Sequence, residues 1–254
     1  MLDEPSPFNL HPFTAMFQTD PFSLIVLLVG LSLLPFVAMV ATSYLKIVVV
    51  MSLIRNALGI QSIPPNMVLN ALAMILTFYI MAPMASESWK TLVESRNAAV
   101  ESRKQGNSAA GAKGAMGTGL SAVDFSTSDL MKAAEPFRTF LSQHTADRER
   151  AFFVNTAERL WAKNEDEPAQ VDPESFYILI PSFCVSELTK AFQIGFLVYL
   201  PFIAIDIIVS NILLAMGMMM VSPVTISLPF KLLLFVMVNG WTLLIQGLIR
   251  GYVI

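Results

Sequence analysis

Long charge-free stretches alternate with one polar interval along this chain. Residues 24–41 are apolar apart from Ser32 and carry no charge. These 18 residues meet the length a helix needs to cross a hydrocarbon core. Pro35 is expected to kink that helix, which membrane helices tolerate. Lys46, the short apolar run 47–53 and Arg55 follow, and Gly59 with Pro64 and Pro65 punctuates a connecting loop. Residues 67–85 form a second charge-free run of 19 residues. The chain turns apolar again at Phe176. Glu187 and Lys190 interrupt that run, and residues 191–221 then continue for 31 positions with Asp206 as their only charge. One helix of that length would run about 46 Å, longer than a hydrocarbon core. It is expected to tilt, to break near Pro201 or to fold as a hairpin. Residues 217–229 read as a turn, and 232–249 as the last apolar helix.

The polar interval has three parts. Residues 87–105 are charged and helix-prone, with Trp89, Leu92 and Val93 on a weak apolar stripe. Residues 106–122 hold glycines at 106, 111, 114, 117 and 119 and read as a flexible linker. Beyond them, Leu130, Phe137 and Leu141, then Phe152, Phe153, Leu160 and Trp161, recur at helical spacing. Two short amphipathic helices are expected, broken near Pro136 and His144. Residues 163–175 are acidic, carry Pro168 and Pro173, and read as a loop. The domain organisation is therefore a polar segment 1–21, a hydrophobic helical half 22–85, a polar centre 86–175 and a second hydrophobic helical half 176–254. The fold class is an all-α membrane protein of long kinked helices and helical hairpins.

Composition sharpens this picture. Hydrophobic residues make up 55% of the 254, charged residues 14%, and the mean hydropathy is +0.62. A soluble domain carries about 25% charged residues. Eleven of the 16 basic and fourteen of the 19 acidic residues fall within 86–175, so the flanking halves are nearly uncharged. A net charge of -3 offers no basic field for nucleic acid. The single cysteine, Cys184, sits in an apolar run and reads as a buried, inert thiol. Asp3, Glu4 and Asp20 are the only charges before the first apolar run, unlike the basic start of a secretory signal, so that run is expected to be retained. Lys46 and Arg55, with no acid between the first two spans, place that connection in the cytoplasm. The N-terminus and the polar centre then lie outside, Lys231 inside, and four spans are expected.

Five ionisable residues lie in or against apolar runs: Lys46, Glu187, Lys190, Asp206 and Lys231. Each charge at a bilayer centre costs about 2.5–3.5 kcal/mol on insertion scales, so these groups must snorkel, pair or meet enclosed water. Glu187 and Lys190 are three apart and can pair on one helix; alternatively Glu187 takes a partner from another helix, with Lys231 the candidate. Asp206 has no basic residue within two turns of its helix, which leaves it protonated, hydrated or paired across an interface. Met218, Met219 and Met220 occupy the turn between two apolar helices. Methionine adapts to changing shapes, as a seal around varied polypeptides requires. Composition alone leaves these three as ordinary lipid-facing or core methionines.

Other motifs carry no chemistry. Residues 106–113 mimic a phosphate loop, but Ala112 displaces the lysine and no strand precedes. Ser43 and Lys46 match a serine–lysine spacing without the companion motifs of such enzymes. His11 and His144 have no carboxylate or cysteine at ligand spacing. Gly247 and Gly251 have the spacing of a helix-packing motif, but Arg250 between them argues for a fraying helix end. No catalytic residue, metal or cofactor is indicated.

A collinear string of motifs carries a more specific signal. Val185-Ser-Glu-Leu-Thr-Lys-Ala-Phe-Gln-Ile-Gly-Phe196, Leu200-Pro-Phe-Ile-Ala-Ile-Asp206, Leu214-Ala-Met-Gly-Met-Met-Met-Val-Ser-Pro223 and Ser227-Leu-Pro-Phe-Lys-Leu-Leu-Leu-Phe235 closely resemble the FliP/SctR family of type III export-apparatus proteins. Ala41-Thr-Ser-Tyr-Leu-Lys46, Leu53-Ile-Arg-Asn-Ala-Leu-Gly59 and Pro64-Pro-Asn66 resemble the same family. The wording Ile203-Ala-Ile-Asp206 and Ser222-Pro-Val-Thr-Ile-Ser-Leu is closer to the virulence injectisome branch than to the flagellar one. The departure is the Gly-rich insert 106–122. The resemblance implies a helical pore of several copies, five, built with smaller SctS/FliQ-like and SctT/FliR-like subunits. That pore sits with the export gate inside the secretion base, in the bacterial inner membrane, and passes secreted proteins. It implies that Met218, Met219 and Met220 form the pore gasket, and that Glu187 and Lys231 pair between neighbouring subunits. A competing class is a small-molecule or ion transporter that uses Asp206 and Glu187 as coupling carboxylates. Such transporters carry an internal repeat, and the two halves here share no pattern. A third is a purely structural membrane scaffold with no passage.

Overall fold

A computed structural model describes residues 21–60, 63–106, 127–162, 170–218 and 220–252, and these described residues form eight helices. They are α1 (Pro21–Val40), α2 (Tyr44–Ala57), α3 (Asn66–Gly106), α4 (Thr127–His144), α5 (Asp147–Leu160), α6 (Phe176–Ala215), α7 (Pro223–Met237) and α8 (Gly240–Arg250). No strand occurs among the described residues. The all-α membrane class expected from the apolar runs is what the chain adopts. α3 and α6 are each long and apolar enough to cross a membrane. The pairs α1–α2 and α7–α8 reach that standard only when each bent pair is taken as one span.

α6 organises the rest. It runs 40 residues without a break, through Pro181 and Pro201, so neither Glu187 and Lys190 nor Pro201 ends it. At 1.5 Å per residue it is about 60 Å long, roughly twice a hydrocarbon core. Its start is set by an Asp172 turn. The Asp172 carboxylate accepts the Glu174 N–H at 3.0 Å, and its carbonyl accepts the Ser175 hydroxyl at 2.5 Å. Its end is a left-handed glycine cap. Gly217, at φ +72°, donates to the Leu214 carbonyl, and Met218 donates to that of Leu213, both at 3.0 Å.

The segment expected to be a connecting loop is instead the most enclosed helix. α2 packs against α6 more extensively than any other pair of helices does, and against α3. Its Ile47, Val50, Met51, Ile54 and Ala57 form the centre of the main core, with Leu69 and Ala73 of α3, Ala191 and Phe202 of α6, and Phe235 of α7. Gly195 of α6 lets the Leu53 side chain approach the backbone, where any Cβ would collide with it. A smaller cluster of Ala41, Phe140, Leu141, Leu179 and Phe183 seats α4 on α6.

Other elements differ from expectation at identifiable residues. The chain bends by 56° between α1 and α2, at Ala41–Ser43, beyond Pro35. α3 continues from the apolar run straight into the charged stretch, so one helix crosses position 85. α4 runs through Pro136, and the expected break falls only after His144. The last apolar helix is two, bent by 59° where Asn239 takes a left-handed φ of 50°. The Gly-rich insert lies outside the described residues.

Much apolar surface is left outward. Phe78 is 72% exposed, Leu197 64% and Met237 73%, with many aliphatic neighbours, far more than a water-soluble monomer carries. Lipid or other chains must cover it.

Candidate functional site

The five costly ionisable residues gather into two clusters, one toward each end of α6. Lys46 of α2 places its ammonium 3.0 Å from Glu187 Oε2, with the two side chains 3% and 0% exposed. Lys190, one turn further along α6, reaches Glu187 Oε1 at 3.1 Å and donates to the His144 carbonyl at 2.7 Å. The Tyr252 hydroxyl donates to Glu187 Oε2, and the Tyr252 ring lies 3.5 Å below the Lys46 ammonium. The carboxylate thus meets an ammonium and a phenol on one oxygen and a second ammonium on the other. Charge-assisted bonds of this kind offset the desolvation of a fully buried carboxylate.

His144 ties the polar centre to this cluster. Its ring packs between Phe140 and Tyr252, at 4.4 and 5.1 Å between centroids. Its Nδ1 lies 2.9 Å from the Phe140 carbonyl, which makes Nδ1 the protonated nitrogen. Nε2 is buried and has no hydrogen-bond partner among the described residues. Burial holds the imidazole below its usual value of 6.5. The adjacent corner is fastened by the Ala146 N–H, which donates to Ser186 Oγ at 3.0 Å.

The second cluster closes the α6–α7 hairpin. Lys231 of α7 donates to Asp206 Oδ2 at 2.6 Å and to the Ala57 carbonyl at the end of α2 at 3.3 Å. Ser227 donates to Asp206 Oδ1, also at 2.6 Å. Lys231 is buried, whereas Asp206 is 32% exposed and borders a cavity of about 350 Å³. Asp206 is therefore paired within its own chain. A lysine at the C-terminal end of α2 also meets the negative pole of that helix.

Glu187 and Lys231, expected to pair between copies, do not meet within the chain; each has opposite charge of its own. The i, i+3 pair of Glu187 with Lys190 is present. Lys46, read as a cytoplasmic marker, is instead a buried ion-pair partner, so it says little about orientation. Sequence reasoning missed Tyr252 and Ser227. A lone tyrosine and a helical serine give no signal without the helix that faces them. Cys184 is half-buried, with Sγ 3.7 Å from the Val40 carbonyl.

The methionine turn lies between α6 and α7. Met218 is 42% exposed and Met220 fully so, while Met219 lies outside the described residues. Pro223 opens α7 at a position where its missing N–H costs nothing.

An all-α membrane protein whose long hairpin presents a bare methionine tip, fixed to a core helix by buried ion pairs, is the class these features define. The chain belongs to the FliP family, whose model matches residues 27–248. It is 46% identical over 233 residues to "Yop proteins translocation protein R" of Yersinia pestis, covering 92% of this chain and 97% of that protein. It is 46% identical over 231 residues to "Hypersensitivity response secretion protein HrcR" of Ralstonia nicotianae, covering 91% and 96%. It is also 46% identical over 234 residues to "Virulence protein YscR" of Salmonella typhimurium, covering 92% and 97%.

Proposed function

We propose that this chain is the core export-channel subunit of a type III protein secretion system of the injectisome kind. Five copies and the smaller SctS/FliQ-like and SctT/FliR-like subunits enclose a path for unfolded proteins at the inner membrane, next to the export gate and within the secretion base. The chain serves as conduit rather than catalyst. The names of the relatives, which speak of translocation, secretion and virulence, support this reading. The observation that carries it is the tip of the α6–α7 hairpin. Met218 and Met220 stand exposed beyond a base that ion pairs and packing hold still. Met218, Met219 and Met220 from several copies would meet as a deformable apolar ring around whatever passes.

Replacing all three methionines with glycine tests the seal. The assembled complex, counted by native mass after mild detergent extraction, keeps its subunits but leaks small solutes in liposomes. An assembled complex that stays tight removes the gasket. The family resemblance also implies a Glu187–Lys231 pair between copies. Since both side chains are buried within their own chain, forming that pair requires local rearrangement on assembly. The swapped variant E187K/K231E regains assembly lost in Lys231→Glu if the pair forms; no regain counts against it.

A further inference from the structure

We infer that Asp206 and Lys231 form a clasp that holds the methionine hairpin shut, with Asp206 the positioning residue whose loss frees the tip. This rests on the gasket reading and adds the part that sets the gasket's position. Asp206 lies twelve residues before Met218, and Lys231 twelve after Met219, so the pair sits level across the two arms. The helical part of each arm beyond the pair, Asp206 to Ala215 and Pro223 to Lys231, spans about 12–14 Å, a long lever above the tie.

The tie is threefold. Both oxygens of Asp206 are held by α7, through Lys231 and Ser227, and Lys231 also reaches the Ala57 carbonyl of the core helix α2. Within the chain, little else holds the arms above it. Ile207, Ile208, Ile212 and Leu214 are all exposed, as are Val224 and Ile226, and among the described residues of that stretch Leu213 is the one large apolar side chain that is buried. Both arms can also yield near the clasp. Pro201 precedes Asp206 by five residues and Pro229 precedes Lys231 by two, and each leaves one carbonyl a turn earlier without its helical N–H donor. Asp206 is reachable from the cavity lined by Asn56, Tyr199 and Val224, so water can replace the lysine when the arms part. A tie that is strong but wet can be both closed and released.

The test uses the complete export complex in liposomes, with leak measured per assembled complex. Asp206→Asn keeps the side chain's shape and removes its charge; leak rises severalfold, and the swapped variant D206K/K231D brings it back toward the native level. A helix-stabilising role alone would lower the yield of complex without changing leak per complex. Ser227→Ala removes one of the three ties and raises leak less than Asp206→Asn, which keeps the question answerable should Asp206→Asn fail to assemble. Complexes that leak when the methionines are glycines but stay tight with Asp206→Asn or Ser227→Ala overturn the clasp and leave the gasket standing. If the glycine variant is itself tight, the gasket reading fails and takes the clasp with it.

Discussion

The Glu187 and Asp206 clusters share a recipe, a carboxylate of α6 held by a lysine of another helix, and differ in enclosure. Glu187 is fully buried, flanked by two ammoniums and a phenol, and joins α2, α6, the end of α4 and Tyr252. Asp206 is a third exposed and joins only α6, α7 and the last carbonyl of α2. Enclosure decides what an ion pair does. A sealed pair cannot open without leaving a bare charge in a dry interior, so it acts as a permanent brace. A pair with one wet member exchanges with water at modest cost and can serve a moving part. The brace lies where four elements meet, and the wet pair where a hairpin leaves the body of the fold.

Removing the brace has the largest expected effect. Lys46→Met strands Glu187 with only Lys190 and Tyr252, and should cost about 3–5 kcal/mol of stability. Thermal unfolding in detergent reads this directly. Asp206→Asn, measured the same way, should cost less, because the amide oxygen, the Ala57 carbonyl and the bordering cavity still offer the Lys231 ammonium polar partners. Equal losses at the two sites would erase the distinction.

Tyr252→Phe sharpens the comparison within the brace. It keeps the ring under Lys46 but deletes the hydroxyl that Glu187 accepts, a bond to a charged group worth about 1.5–3 kcal/mol. A drop in unfolding temperature smaller than that for Lys46→Met is expected, and one as large would mean that the phenol and not the lysine carries the site.

The smallest effect is a pH dependence at the brace. His144 is held below its usual value of 6.5 by burial, so between that value and its folded value the unfolded chain binds more protons. Stability is intact above about pH 6.5 and falls as the pH drops toward the folded value. His144→Gln should flatten the unfolding temperature over that window. A variant that keeps the slope assigns it to another group.

The apolar runs were enough to mark residues 67–85 and the run after Lys190 as membrane-type segments, though not that each belongs to one unbroken helix of about 40 residues, and helical spacing found α4 and α5. α2 was read as a loop because Lys46 and Arg55 depress its hydropathy; it is buried because Glu187 neutralises Lys46 from a helix some 140 residues away. No local pattern contains that pairing. The break between α7 and α8 did have a signal, the dipeptide Asn239-Gly240, a common turn former overlooked inside an apolar run. The candidate site was legible as a list of expensive residues, since charge in an apolar run stands out wherever it falls. Its wiring was not, because which lysine meets which carboxylate depends on how α2, α6 and α7 are packed.

The hydroxyl of Tyr252 has a consequence for how the protein is made. It completes the shell of a carboxylate 65 residues earlier in the chain. A ribosome delivers Lys46 first, Glu187 much later and Tyr252 later still. During that interval the nascent chain must keep an unfinished ionic centre near water or lipid phosphates. Insertion of α2 and α6 into their final places is therefore coupled to the emergence of the segment that follows α8, which fastens helices made long before it.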